Sequence, residues 1–317
     1  MSGIRIAGAI STYNRSDLFA SALESLCQQS LPPEAYEIII VDNASTDDTP
    51  QVVERMQQQF PEHTICYFNE TQQGAAHARN RAFHETRAPY IAFLDDDGIA
   101  PPDWLETILR LFETHLPTPH SVGGGYIPYF TSARPAWLVD KYERRSWGDV
   151  SRLLTDGESF SGSNMAFPTE LLKAYGGFPT NVGPKGRHLG VGEEYELYQR
   201  IWQGPEAPIL YYNPAVAIRH HVPEFKHTPR YYLKLKFVAA QSMVKLHLAK
   251  QPLSYPRRIR RAARSFRAAL CLLWRALRQR SMYTYQENWL IDAFGPVVAE
   301  IGQSLAYLGL YLRMKQR

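Results

Sequence analysis

Cysteine is scarce in this sequence, and its few copies are scattered. The 3 cysteines, Cys27, Cys66 and Cys271, stand far apart in a chain of 317 residues. They match neither a metal-binding spacing nor a disulfide framework, which excludes a disulfide-stapled secreted scaffold and fits a reducing cytosol. Long apolar runs are missing too. Arg275 breaks the first late apolar stretch, and Asp292, Pro296 and Glu300 break the one over residues 289–312. No segment therefore reads as a membrane-spanning helix. Met1 leads straight into an apolar strand at residues 4–10, and no basic segment with a long apolar core marks a secretory signal. The third shortage is regional. Residues 226–317 hold 18 Lys and Arg but only 3 Asp and Glu, a balance of +15. The remainder holds 17 basic and 28 acidic residues, a balance of −11 that the net charge of +4 conceals. A basic rear suits an anionic partner, a membrane surface or a nucleic acid. No recognised nucleic-acid module accompanies it, so no nucleic-acid partner is expected.

What the chain does have is Ile91-Ala92-Phe93-Leu94-Asp95-Asp96-Asp97-Gly98. Four apolar residues read as a short buried strand, and three carboxylates follow at its end. Asp95 and Asp97 are two apart, so in an extended tip they point the same way. Without a basic neighbour in sequence they repel each other unless a cation lies between them, and Mg²⁺ or Mn²⁺ is the usual occupant.

The rest of the front half is built around that strand. Residues 4–10, 37–41, 64–68 and 90–94 read as strands, with helical periodicity between them. Ser16 is a candidate N-cap for the first helix; Thr49 and Pro50 start the second. Strand and helix alternating four times predict an α/β fold with a mostly parallel central sheet flanked by helices. Ligands of such sheets bind at the carboxyl ends of the strands, which here carry Thr12, Asp42 and the Asp95–Asp97 cluster. Further on, residues 104–112 read as a helix and 122–129 as extended. Residues 131–160 show no clear period and read as a substrate-covering region. A glycine turn runs into a strand at 161–167, and a glycine-rich loop covers 176–192. A helix opens on acids at Glu193, and short strands at 209–212 and 216–219 precede His220-His221.

These residues resemble family 2 glycosyltransferases of GT-A fold, in the family's order over residues 1–225. Ser11-Thr12-Tyr13-Asn14-Arg15, Val41-Asp42-Asn43-Ala44-Ser45-Thr46-Asp47 and the segment from Gly74 to Asn80 match its nucleotide-binding motifs. Asp95-Asp96-Asp97 matches its metal-binding aspartate motif. Gly162-Ser163-Asn164-Met165 resembles its turn near the donor sugar, and Glu193-Glu194-Tyr195-Glu196-Leu197 with Arg200 its base-bearing helix start. The His-His-Val-Pro run at 220–223 also recurs there. The family usually has Glu-Asp where this chain has Glu193-Glu194, and Asp where it has Glu196.

The resemblance implies an inverting transfer of a sugar from a UDP- or GDP-type nucleotide sugar to a hydroxyl of a glycan or lipid-linked acceptor. It implies that Thr12, Asn14, Arg15, Asp42, Arg79, Asp95, Asp96, Asn164 and Glu193 meet the substrates. Asp97 and His220 are the expected metal ligands, and Glu194, with Glu193 as the alternative, the expected general base. A catalytically silent assembly subunit and a sugar nucleotidyltransferase are the rival readings. The glycine- and arginine-rich first loop of the latter is absent from residues 8–17.

Residues 226–317 are expected to form a helical extension. Within it Ile259, Ala263, Phe266, Leu270, Leu273 and Leu277 fall on one helical stripe, with Arg257, Arg260, Arg261, Arg264 and Arg275 largely off it. That is the pattern of a helix lying in a membrane interface, which implies a cytoplasmic protein held peripherally on an anionic inner membrane face. The alternative is a helix whose stripe packs on the catalytic domain.

Overall fold

The computed structural model describes residues 3–186 and 188–315. The chain forms two compact units. The first comprises Met1–Tyr129, Glu143–Thr180 and Glu193–His221. The second comprises Phe130–Tyr142, Asn181–Gly192 and Val222–Arg317. Two loops of the front half, 130–142 and 181–192, thus belong to the second unit rather than to the expected 1–225 block.

The first unit begins as the alternation predicts: β1 (Ile6–Thr12), α1 (Ser16–Cys27), β2 (Tyr36–Asp42), α2 (Thr49–Gln59), β3 (Thr64–Asn69), α3 (Ala75–Glu85) and β4 (Tyr90–Asp95). There follow β5 (Gly98–Ile99), α4 (Trp104–Thr114), β6 (Ser121–Gly123), β7 (Tyr126–Tyr129), β8 (Arg152–Leu153), β9 (Asn164–Pro168), α5 (Thr169–Ala174), α6 (Glu193–Trp202), β10 (Leu210–Tyr212) and β11 (Ile218–His221). The large sheet has eight strands in the order β3-β2-β1-β4-β9-β6-β10-β8. Its first four strands are mutually parallel, while β9 runs antiparallel to both β4 and β6. A three-stranded sheet, β5-β11-β7, lies beside the acidic turn. The stretch 122–129 is therefore not one strand. It passes between sheets at Gly124, where a Cβ would meet the Val216 carbonyl oxygen at 2.7 Å.

The continuous apolar strands follow from burial on both faces. In β2, Ile38 and Ile40 face a core with Phe19, Leu23, Leu26, Trp104 and Phe112. Ile39 and Val41 face the opposite core with Ala78, Phe83, Phe93, Phe167 and Tyr198. Residues 143–160 do not merely cover the unit. They supply edge strand β8, and Trp147 and Phe160 pack into the second core.

The strand-end loops are tied to one another. Asn14, at φ 51°, accepts the Thr46 N–H on Oδ1, and the Asn14 N–H donates to Ser45 Oγ. Ser16 and Thr49 are first helical residues rather than caps; Arg15 and Asp48 hold the N-cap positions. The side chain that starts both helices is Asp47, which accepts the Ser16 N–H on Oδ2 and the Thr49 N–H and hydroxyl on Oδ1. A carboxylate at two helix starts is favoured by both helix dipoles.

The second unit is helical, as expected: α7 (Pro229–Lys250), α8 (Tyr255–Arg278), α9 (Gln286–Trp289) and α10 (Gly295–Tyr307). Gly302 lets α10 approach α7, since a Cβ there would meet the Phe237 carbonyl oxygen at 2.8 Å. Helix α8 packs through Ala262, Ser265 and Ala269 near its middle and Ala276 near its end, all buried. Its Ala262 carbonyl accepts the α10 Ser304 hydroxyl at 3.0 Å. Among the described residues no helix is long and apolar enough to cross a membrane.

Candidate active site

The acidic turn after β4 lies within the first unit and is held by two arginines. Arg15 Nη1 donates to Asp96 Oδ1 at 2.8 Å and to Asp97 Oδ2 at 3.0 Å. Arg79 Nη2 donates to Asp95 Oδ1 at 3.1 Å, and its Nη1 to Glu193 Oε1 at 3.0 Å. Asp95 Oδ2 accepts the Ser163 hydroxyl at 2.6 Å. Burial, with Asp97 and Asp95 alongside, outweighs Arg15 and pushes the Asp96 carboxyl up to about 6.

His220 joins this turn through strand pairing. Strand β11 runs antiparallel to β5 with His220 opposite Gly98, and the His221 N–H donates to the Asp97 carbonyl at 2.9 Å. His220 Nε2 thereby sits 3.2 Å from Asp97 Oδ1. Asp95, Asp97 and His220 each offer one ligand atom, all within 4.8 Å of one another. Two carboxylate oxygens and an imidazole nitrogen, largely buried, suit Mn²⁺ or Mg²⁺. His220 Nδ1 is buried without a hydrogen-bond partner among the described residues. The turn at Asp97 and the late His220, far apart in sequence, are brought together.

The two glutamates opening α6 are separated by burial. Glu193 is 2% exposed and paired with Arg79, yet burial and the neighbouring Glu194 raise its carboxyl to about 8. Glu194 is half-buried. Its Oε1 accepts the Gly162 N–H at 2.9 Å, and Oε2 makes no hydrogen bond among the described residues. Only glycine fits at 162: a Cβ would lie 2.6 Å from Glu194 Oε1 and crowd the Arg79 guanidinium as well. Glu196 pairs with Arg200 at 2.8 Å, and Arg200 also holds the Gly177 carbonyl.

Several residues assigned to substrate from sequence prove to be closed inside the protein. Asn164 is fully buried: Oδ1 accepts Trp104 Nε1–H, while Nδ2 donates to the Gly125 and Val216 carbonyls. With its side-chain amide fully used it has no group left for a ligand, whereas Ser163, in the turn before β9, gives its hydroxyl to Asp95. Asp42 is 1% exposed; Oδ1 accepts the Ser45 N–H and Oδ2 the Tyr67 hydroxyl, so it builds its loop. Thr12 donates to Asp96 Oδ2 at 3.0 Å and is buried, as are Asp96, Arg79 and Glu193. These four brace the site from beneath. Asn14, Arg15 and Asp95 keep partial exposure. Gly162 and Ser163 were read from sequence only as part of a turn motif, and Tyr67 was not singled out. Nothing local marks Tyr67, whose partner lies a strand away.

A mixed sheet whose parallel strands end at nucleotide-type loops and an aspartate–histidine cluster defines a nucleotide-sugar glycosyltransferase fold. The family model for glycosyl transferase family 2 matches residues 9–175, and the chain belongs to that family. A glucosyl-dolichyl phosphate glucuronosyltransferase of Haloferax volcanii is 24% identical over 70% of this chain and 71% of its own. A poly(ribitol-phosphate) beta-glucosyltransferase of Bacillus spizizenii is 25% identical over 67% of this chain but only 34% of its own. The structure of mannosyltransferase PcManGT from Pyrobaculum calidifontis, in complex with GDP-Man and Mn²⁺, matches with a TM-score of 0.62 at 20% identity, covering 95% of this chain and 87% of that one. S. aureus TarS 1-349 in complex with UDP-GlcNAc matches with a TM-score of 0.57 at 15% identity, covering 98% and 93%. These likenesses give the fold, GT-A.

Proposed function

We propose that the protein is an inverting glycosyltransferase. It would move a sugar from a nucleoside-diphosphate sugar to a hydroxyl of a glycan or lipid-linked acceptor in polysaccharide or glycoconjugate synthesis. The observation that carries this reading is the pairing of an Asp95–Asp97–His220 cluster with a half-buried Glu194 whose Oε2 is unengaged. A divalent ion, Mn²⁺ or Mg²⁺, held by Asp97 and His220 with Asp95 alongside, would supply charge neutralisation for the departing diphosphate.

The chain's own residues supply the rest. Glu194 Oε2 takes the acceptor hydroxyl proton as the acceptor oxygen bonds to the anomeric carbon and the bond from that carbon to the diphosphate oxygen breaks. The Gly162 N–H holds Glu194 in one orientation without consuming the reacting oxygen. Glu193 is too buried and too tightly paired to serve, so the exposure difference supports Glu194 as base. Arg79 fixes Asp95 and Glu193 in one frame. Asn14 and Arg15, at the end of β1, face the donor; Arg15 is placed to turn from Asp96 and Asp97 toward a phosphate. The complexes of the structural neighbours with GDP-Man and UDP-GlcNAc support a donor of GDP or UDP type.

A panel of UDP- and GDP-sugars, assayed for hydrolysis and transfer with Mn²⁺ and with chelator, tests the reading. Metal-dependent turnover of one donor, with inverted anomeric configuration by proton NMR, is expected. Retained configuration removes the assigned role of Glu194, and nucleotide binding without any turnover makes the chain a silent subunit.

A further inference from the structure

We propose that helix α8 is a docking surface for an anionic lipid bilayer, lying in the headgroup region. Its packing inside the second unit uses the small residues Ala262, Ser265, Ala269 and Ala276. The large apolar residues point elsewhere. Ile259, Phe266, Leu270, Trp274 and Leu277 are 42%, 54%, 52%, 58% and 61% exposed. Their spacings of seven, four, four and three put them on one stripe along the helix. From Ile259 to Leu277 the stripe runs for about 27 Å along the helix. Within the second unit, then, α8 is held by its small residues rather than by the stripe.

The charge of the helix identifies the occupant. Helix α8 carries eight arginines and no acidic residue. Among the described residues none of the eight has an ion pair; Arg258 donates to the Tyr307 carbonyl, and Arg278 stacks on Trp274. A helix that merely covers a fold usually interleaves acids with its bases. Here the arginines at 257, 260, 261, 264, 267, 275 and 278 are all exposed, around the face next to the apolar stripe. An apolar ridge bordered by cations fits acyl chains under phosphate headgroups. A purely polyanionic partner would leave the ridge unused, and a second copy of α8 would set arginine against arginine.

Co-sedimentation of the full chain with phosphatidylglycerol-containing vesicles and with pure phosphatidylcholine vesicles tests this. Binding to the anionic vesicles alone is expected, weakened by salt. Arg260→Glu, Arg261→Glu and Arg264→Glu together should lower partitioning by about a hundredfold or more. Phe266→Ser, Leu270→Ser and Trp274→Ser together should lower it by at least about tenfold, with circular dichroism unchanged because all three side chains are exposed. A blue shift of Trp fluorescence on vesicles, absent in Trp274→Phe, marks insertion. The proposal is overturned if the unmutated protein stays in solution with anionic vesicles in excess at low salt. It is equally overturned if the serine triple variant binds undiminished, or if sedimentation shows a lipid-free dimer that the same variant dissolves. Failure of sugar transfer leaves these readouts untouched, so the two readings fail separately.

Discussion

In the first unit Arg15 lies against Asp96 and Asp97, and Arg79 lies against Asp95 and Glu193. In the second, α8 carries eight arginines with no acid on the same helix. Each arginine of the first kind bridges two carboxylates, so its charge fixes their geometry. Of the second kind all but Arg258 are exposed, where an ion pair would have contributed little in any case. The difference separates two uses of a cation. Enclosed with acids it fixes a catalytic frame; left open beside an apolar stripe it can be spent on something outside the molecule.

The largest effect is expected where the closed network meets the metal. Asp97→Ala should abolish transfer and remove the metal dependence of nucleoside-diphosphate binding, read by calorimetry with and without Mn²⁺. Unchanged metal-dependent affinity would take Asp97 out of the site. Next comes the base. Glu194→Gln keeps the Gly162 contact but cannot accept a proton, so kcat should fall about 10²–10⁴-fold with donor affinity nearly unchanged. Full activity in Glu194→Gln together with an inactive Glu193→Gln would reverse the two roles.

Arg79 sharpens the comparison on stability. Arg79→Met leaves buried Glu193 and part-exposed Asp95 without their shared cation, at a cost of up to about 3–5 kcal/mol as for a broken buried pair. Urea denaturation checks it, and a cost below about 1 kcal/mol would show that the network relaxes into water. Charge removal on α8, by contrast, should leave the urea midpoint in place.

The fold was legible because its signals are local. Period and β-branched runs place β1 to β4, and three consecutive aspartates mark the end of β4 without any partner being known. His220 was legible only through the family's pattern, since its approach to Asp97 depends on β11 pairing with β5 across more than a hundred residues. What sequence missed is orientation within a correctly located segment. Asn164 and Ser163 are neighbours, yet Asn164 opens β9 and bonds Trp104 while Ser163, in the preceding turn, bonds Asp95. The same holds for Arg79, whose helix was expected but whose inward aim comes from the closeness of Gly162. On α8 the stripe was visible in sequence, whereas its exposure could not be: that α10 grips the small residues instead is a fact of packing.

A further expected effect is a pH dependence of stability arising in the enclosed network. Burial and Glu194 raise the Glu193 carboxyl from the usual 4.5 to about 8. Between those values the native protein holds a proton that the unfolded chain has released. Stability from this group is therefore complete below about pH 4.5 and is lost as pH rises through about 8. Asp96, raised in the same direction, adds a similar decline at lower pH. Glu193→Gln isolates the first contribution, because glutamine resembles the protonated acid and has no proton to lose. Melting temperatures of parent and variant, taken in metal-free buffer across this range, should draw apart as pH rises, the parent falling further. Parallel curves would mean that Glu193 is ionised in the native state at neutral pH and that its pairing with Arg79 outweighs its burial.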